Sequence, residues 1–184
     1  MKIVFKTCSD EKELLGILHL QKENLPVNLS PEEIISQGFV TVLHSLKDLQ
    51  QMNHIEQHII AKSDDIVIAY LLAMTVKSSN AIPILIPMFD MFSKIEYGGK
   101  PVASYQYIVV GQVCVDKNYR GQGILDECYV AYKEHFKNKY DFAITEIATA
   151  NLRSINAHKR IGFKEVHHYI APDQQEWSIV IWEW

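Results

Sequence analysis

Two stretches of the chain carry residue types at spacings that can do chemistry. The first, VDKNYRGQGIL, runs from Val115 to Leu125; it follows an apolar run, precedes an amphipathic one, and sets Arg120 beside Gly121 with Gly123 two residues on. A strand, a glycine loop and a helix together make an anion site. The first N–H groups of a helix lack internal partners, and the helix dipole favours negative charge there. Glycines let a diphosphate approach the backbone with no Cβ in the way, and Arg120 offers a planar fork of donors. The stretch is not a P-loop, which needs a Lys after its second Gly, nor a Rossmann fingerprint, whose third Gly falls on Asp126. Asp126 and Glu127 in the first helical turn would repel a diphosphate that they faced, so both are expected to point away.

The second stretch, NLRSINAHKRIGFKEV, begins at Asn151 about 30 residues after the first. Asn151 suits a helix N-cap and Gly162 a helix stop. Other constellations fail on spacing. His54 and His58 stand four apart, but Glu56 is not adjacent to the first, so HIEQH misses the zincin pattern; His167 and His168 on a strand point to opposite faces. No metal is expected. The glycines flank Gln122 and no nucleophile, so there is no nucleophile elbow.

The elements that must position these residues read as one α/β (α+β) domain over 1–184. KIVFKT is a first strand and DEKELLGILHLQKEN a helix; Ser30, Pro31 and Glu33 open a short helix that Gly38 ends. FVTVLH reads as a strand, SLKDLQQMNHIE as a helix, and HIIAK with IVIAYLLAMTV as a hairpin. An insertion at about 77–104 holds Pro83 and Pro87, which break any long helix before Met88; its Met and Phe residues fill a core or wall a pocket. YQYIVVGQVCV is a long central strand with a bulge hinted at Gly111. Leu125, Tyr129, Tyr132 and Phe136 stripe the helix after Gly123, DFAITEIATA is a further strand, and a terminal hairpin closes the chain. Its aromatic strand EWSIVIWEW is a candidate homodimer edge.

Composition bounds the function. The chain has 184 residues, 48% of them hydrophobic and 22% charged, with net charge −4. That argues against nucleic acid as the main partner, and no apolar run reaches the roughly 18 residues of a membrane helix. The N-terminus shows no signal peptide. Three scattered cysteines, Cys8, Cys114 and Cys128, argue against a disulfide framework and for a reducing cytoplasm. The stretch from 110 to 164 is net basic and the remainder net acidic, which suits an anion at the glycine loop and a cationic partner elsewhere.

The two stretches together resemble the GNAT superfamily of acetyl-CoA-dependent N-acetyltransferases. The family's cofactor motif has Gln or Arg, two residues, Gly, one residue, then Gly or Ala; Arg120 and Gly123 match, and Leu125 departs at the last position. Its later motif has Asn, a small residue three on, an aromatic (often Tyr) seven on, and a closing Gly-Phe; Asn151, Ser154, His158 and Gly162-Phe163 stand there. The likeness covers the C-terminal half well and the N-terminal helices only by order. It implies a GNAT fold, a mixed and mostly antiparallel central sheet flanked by helices. It also implies acetyl-CoA as cosubstrate, its pyrophosphate on the backbone N–H groups of Arg120, Gly121, Gln122, Gly123, Ile124 and Leu125. The pantetheine arm would pair with the main chain of Val113 and Val115 and bond to Asn151.

The resemblance further implies acetyl transfer to a small-molecule or peptide amine by direct attack in a ternary complex. The family commonly uses a Tyr to protonate the leaving thiolate. That position is His158, which could donate if kept charged. Tyr129, Tyr132 and Tyr169 are spare phenols, the first two expected in the core. Gln112 stands where a carboxylate sometimes serves and cannot accept a proton usefully; Glu146 on the next strand is the candidate base. Leu125 and His158 are also the features of a rival reading, a catalytically weak CoA-binding module.

Overall fold

The computed structural model describes residues 2–79, 82 and 85–184. Its N-terminal half runs β1 (Ile3–Thr7), α1 (Glu11–Glu23), α2 (Pro31–Gln37), α3 (Leu46–Ile55), β2 (Ile59–Ser63) and β3 (Ile66–Met74). Next come α4 (Val76–Ser79), α5 (Ile86–Phe92), β4 (Glu96–Tyr97) and β5 (Lys100–Pro101). Then come β6 (Tyr107–Val115), α6 (Ile124–Phe136), β7 (Phe142–Ala148), α7 (Leu152–Ile161), β8 (Lys164–Ile170) and β9 (Glu176–Glu183). The helix starts follow local chemistry. Ser30 and Glu33 form the capping box expected for α2, and Ser45 with Asp48 forms another for α3.

Seven strands make one sheet in the order β1-β2-β3-β6-β7-β9-β8. Every neighbouring pair is antiparallel except β6 with β7, which is parallel. Both faces are covered, which is why β3 is buried at every position after its first. On one face α1, α3 and α5 pack Leu14, Ile17, Leu49, Met52, Phe89 and Phe92 against Tyr70, Val109 and Phe142. On the other, α6 lays Ile124, Cys128, Tyr129, Tyr132 and Phe136 on Ala69, Ile108 and Ala143. A side chain as fully buried as Phe136 contributes about 1.5–3 kcal/mol by the area it removes from water.

The segment from α5 to Val102 contributes chiefly to the core. Met88, Phe89 and Phe92 of α5 join the first cluster with Ile95 and Val102, and Pro87 sits in the first turn of α5, where no N–H is lost. The break expected at Pro83 lies outside the described residues.

Two expectations are corrected by long-range contacts. Residues 39–44, expected as a strand, form an irregular strap with no ladder. Side chains and loops hold its backbone instead: Val40 N donates to Asn24 O (3.0 Å), Gln112 Nε2 to Val42 O (2.8 Å), and His44 N to Gln21 Oε1 (3.0 Å). β-Branched composition alone makes no strand without a free sheet edge beside it. The aromatic strand β9, expected as a dimer edge, is paired on both sides, by β7 and by β8. The edge is β8, and its Lys164, Glu165 and irregular register near Glu165 and His167 are features that discourage edge pairing.

Candidate active site at the fork of the sheet

The site is built by a fork. β6 and β7 pair only from Tyr107 with Phe142 to Val109 with Ile144. Thr145 Oγ1 then donates to Val110 O (2.7 Å), and beyond it the two strands part. The bulge expected at Gly111 drives this. Between Leu71 opposite Val113 and Ala73 opposite Val110, β6 carries one residue more than β3 and bends away. At Gly111 the Met74 thioether packs into the space that a Cβ would take. Past the fork β6 stays with β3 while β7 stays with β9, so Gly111–Val115 has no strand on its β7 side.

Two cavities open at the fork. The larger, about 560 Å³, runs from Val113, Cys114 and Val115 to the glycine loop and the first turn of α6. The smaller, about 70 Å³, is lined by Gln112, Thr145, Glu146 and Trp177 among others. They share Phe39, Val40, Val113, Asn151, Ser154 and His158, so they meet at one junction.

The glycine loop has the geometry of an anion cradle. Gly121 (φ 74°) and Gly123 (φ 78°) are both left-handed, and a Cβ at either would meet nothing within 4 Å. α6 begins at Ile124 with Gly123 as N-cap, and its first helical bond is Glu127 N to Gly123 O. The N–H groups of Ile124, Leu125 and Asp126 precede that bond. Leu125, the departure from the family motif, is partly buried against the α6 core, and Gln122 turns away, donating to Asn118 O (2.9 Å). Both glycines, Ile124 and Leu125 line the large cavity; Gln122 does not.

Two placements differ from expectation, and Asn151, the expected N-cap, has a further role. The Arg120 fork is spent on the protein: Nε donates to Val115 O (2.9 Å), and the two terminal nitrogens to Asn24 Oδ1 (2.6 Å) and Gln37 Oε1 (3.3 Å). It ties the loop to the ends of α1 and α2 and occupies the Val115 carbonyl. Asp126 does not point away but lines the cavity, its charge met by Arg160 of α7. Asn151 caps α7 through Ser154 N (3.2 Å) and donates to Phe39 O (3.1 Å), so its amide holds the strap as well as facing both cavities.

His158 is the largest correction. Its Nδ1 lies 2.8 Å from Ser154 O, which can only accept, so Nδ1 carries the proton. Nε2 therefore accepts from Tyr129 O–H at 2.7 Å. The side chain is 3% exposed, and burial pulls its pKa down to about 4. It is a neutral, doubly bonded imidazole at the junction, without the charge on which its candidacy as a proton donor depended.

A pH dependence of stability follows. Burial also lowers His44 to about 4 and His58 to about 3, from an ordinary 6.5. The unfolded chain takes up protons below about pH 6.5 that the folded chain refuses, so stability rises with pH in this window. The contribution is full above 6.5 and is lost as pH falls to about 4 for His44 and His158, and about 3 for His58. Each histidine can cost up to about 1.4 kcal/mol per pH unit inside the window. Urea midpoints should hold from pH 7.5 to about 6.5 and fall from there to pH 5, and a flat profile throughout would mean that these imidazoles are not held neutral.

Glu146 lies on the α1 side of β7 and lines the small cavity. Burial raises its pKa, opposed by a hydrogen bond that Tyr169 O–H donates to Oε2 at 2.7 Å. It is the single charged residue among those described around this cavity. Reasoning from sequence missed the strap at Gly38–Val40, the Tyr169 contact, and Arg153 and Arg160 on the cavity wall. The arginines were findable, since seven residues apart on a helix is one face; the others depend on contacts distant in sequence. Among the described residues no group of three or more His, Cys, Asp or Glu is placed to hold a metal ion. No helix among them is long and apolar enough to cross a membrane.

Comparisons with known proteins agree on the fold. The model of the acetyltransferase (GNAT) family matches residues 19–163. No curated protein sequence matches the chain. The NatC complex bound to Gag peptide and CoA is similar in structure at TM-score 0.66 and 16% identity, covering 100% of this chain and 99% of that one. The ribosomal-protein-S18-alanine N-acetyltransferase from Escherichia coli gives 0.63 at 12%, covering 99% and 94%. Arabidopsis thaliana Naa50 in complex with the bisubstrate analogue CoA-Ac-MVNAL gives 0.61 at 14%, covering 100% of both chains.

Proposed function

Because the chain belongs to the acetyltransferase (GNAT) family, we propose that it transfers an acetyl group from acetyl-CoA to a primary amine by direct attack in a ternary complex. The observation that carries this reading is the meeting of the two cavities at Val113, Ser154 and His158. One cavity ends on open glycine N–H groups, with Arg153 and Arg160 on its wall, and suits a polyphosphate. The other ends on Glu146 and suits an ammonium.

In this reading the loop from Arg120 to Leu125 holds the pyrophosphate through its backbone, and Val113 offers main-chain groups to the pantetheine arm. The amine nitrogen attacks the thioester carbon, its surplus proton passes to Glu146, and the carbon–sulfur bond breaks. The departing thiolate, with a thiol pKa of about 8.5, takes its proton from water. The acceptor is a small-molecule or peptide amine. Peptide complexes among the similar structures support testing peptides first. We place the activity in the cytoplasm, where three free thiols stay reduced.

One observation favours a second reading, a CoA-binding module with little turnover. His158 stands where the family's phenol is common, and both of its nitrogens are taken. Calorimetric titration with acetyl-CoA, then thiol release in the presence of peptides with free N-termini, separates the two. Micromolar binding with amine-dependent thiol release supports the transferase. Binding without release supports the module, and no binding at millimolar cofactor removes both.

A further inference from the structure

We propose that Tyr169 is a positioning residue for acetyl transfer: from the edge strand β8 it reaches across β9 and holds the Glu146 carboxylate toward the acceptor cavity, ready to accept a proton. The inference rests on Glu146 taking the proton of the attacking amine.

Glu146 faces Ile179 of β9 across the ladder, and Tyr169 faces Trp177 of the same strand. A strand therefore lies between the two polar groups, and the phenol must lean over β9 to reach the carboxylate. It does so at 2.7 Å, a short and charge-assisted contact. Only Oε2 is held; among the described residues Oε1 has no hydrogen-bond partner, and Glu146 lines the small cavity. A carboxylate fixed through one oxygen, with the other at the cavity, is the arrangement a base needs.

The surroundings make the phenol decisive. The groups that face Glu146 around the cavity are neutral: Gln112 of β6, Trp177 of β9, the buried imidazole of His158 on α7, and Phe39, Val40 and Thr41 of the strap. Among the described residues no Lys or Arg lines this cavity, so none of them stabilises the ionised carboxylate there. Tyr169 O–H is the donor that favours the charged form, against a burial that opposes it. Burial raises the Tyr169 pKa, reinforced by Glu146 and, least, by Asp173 in the turn between β8 and β9, so the phenol keeps its proton and remains a donor. Tyr169 thus works through Glu146, without touching the reacting atoms.

The test is Tyr169→Phe, which keeps the ring and removes the donor. Protein labelled with 13C at glutamate carboxyl carbons is titrated by NMR, with Glu146→Gln identifying the resonance. The expected result is a Glu146 midpoint at higher pH in Tyr169→Phe than in the wild type, with calorimetric acetyl-CoA affinity unchanged. With any peptide amine that is acetylated, the acid limb of kcat/KM should move up in pH by the same amount. An unmoved midpoint would overturn the inference and leave acetyl transfer itself standing; loss of acetyl-CoA binding in the wild type would instead count against the functional reading. Should the Phe variant fold poorly, 3-fluorotyrosine incorporation strengthens the donor in the intact chain. It should lower the Glu146 midpoint, and no change would again overturn the inference.

Discussion

Gly123→Glu is expected to remove acetyl-CoA binding while leaving the chain folded. Gly123 has a φ of 78°, and nothing lies within 4 Å of an added Cβ, so the new side chain enters the cavity and not the core. A left-handed backbone costs a side-chain-bearing residue roughly 1–2 kcal/mol, a strain that Gly123→Ala shares. The carboxylate is what the two variants do not share. One charge at about 5 Å from a phosphate charge, at an effective dielectric of about 20, opposes binding by about 3 kcal/mol. That alone exceeds a hundredfold in affinity. Calorimetry on both variants isolates the electrostatic part: Ala should bind within about tenfold of wild type, and Glu should show no heat at the same concentrations. Equal affinity in all three proteins would remove the glycine loop from the cofactor site.

Glu146→Gln is expected to lower kcat by about 10²–10⁴-fold, the range of a lost general base, with acetyl-CoA affinity unchanged. The substitution is nearly isosteric, and its amide oxygen can still accept from Tyr169, so the fork should keep its shape. What is lost is a group able to take the proton of the attacking amine. Single-turnover thiol release with a saturating peptide amine reads this directly. A change smaller than about threefold would assign the proton to solvent and leave Glu146 a merely buried carboxylate.

Much of the fold was legible because its signals are local. Ser30 with Glu33 caps a helix through its own neighbours, Gly111 marks a bulge in its own strand, and Tyr129, Tyr132 and Phe136 stripe one helix face. The segment at 39–44 misled for the same reason. Its alternation is that of a strand, but pairing needs an edge, and the strap instead crosses the fork on bonds donated by Asn151 and Gln112 and one that Val40 donates to Asn24 O. β9 looked like an edge because the terminal hairpin accounts for β8 on one side only, and its own composition says nothing of β7 pairing on the other.

The site divides along the same line. By itself the sequence determined the parts that a few adjacent residues make: a glycine loop, a helix opening on it, an N-capped helix after Asn151, and a carboxylate on the strand between. Only the tertiary structure decided what each polar group does. Arg120 spends its donors on Asn24 and Gln37, distant in the chain. His158 is neutral because packing buries it, and Tyr129 from another helix claims its second nitrogen there. Glu146 is held by Tyr169 from two strands away. Backbone conformation is governed by near neighbours, whereas burial, and with it charge and hydrogen-bond partnership, is a property of the packed whole.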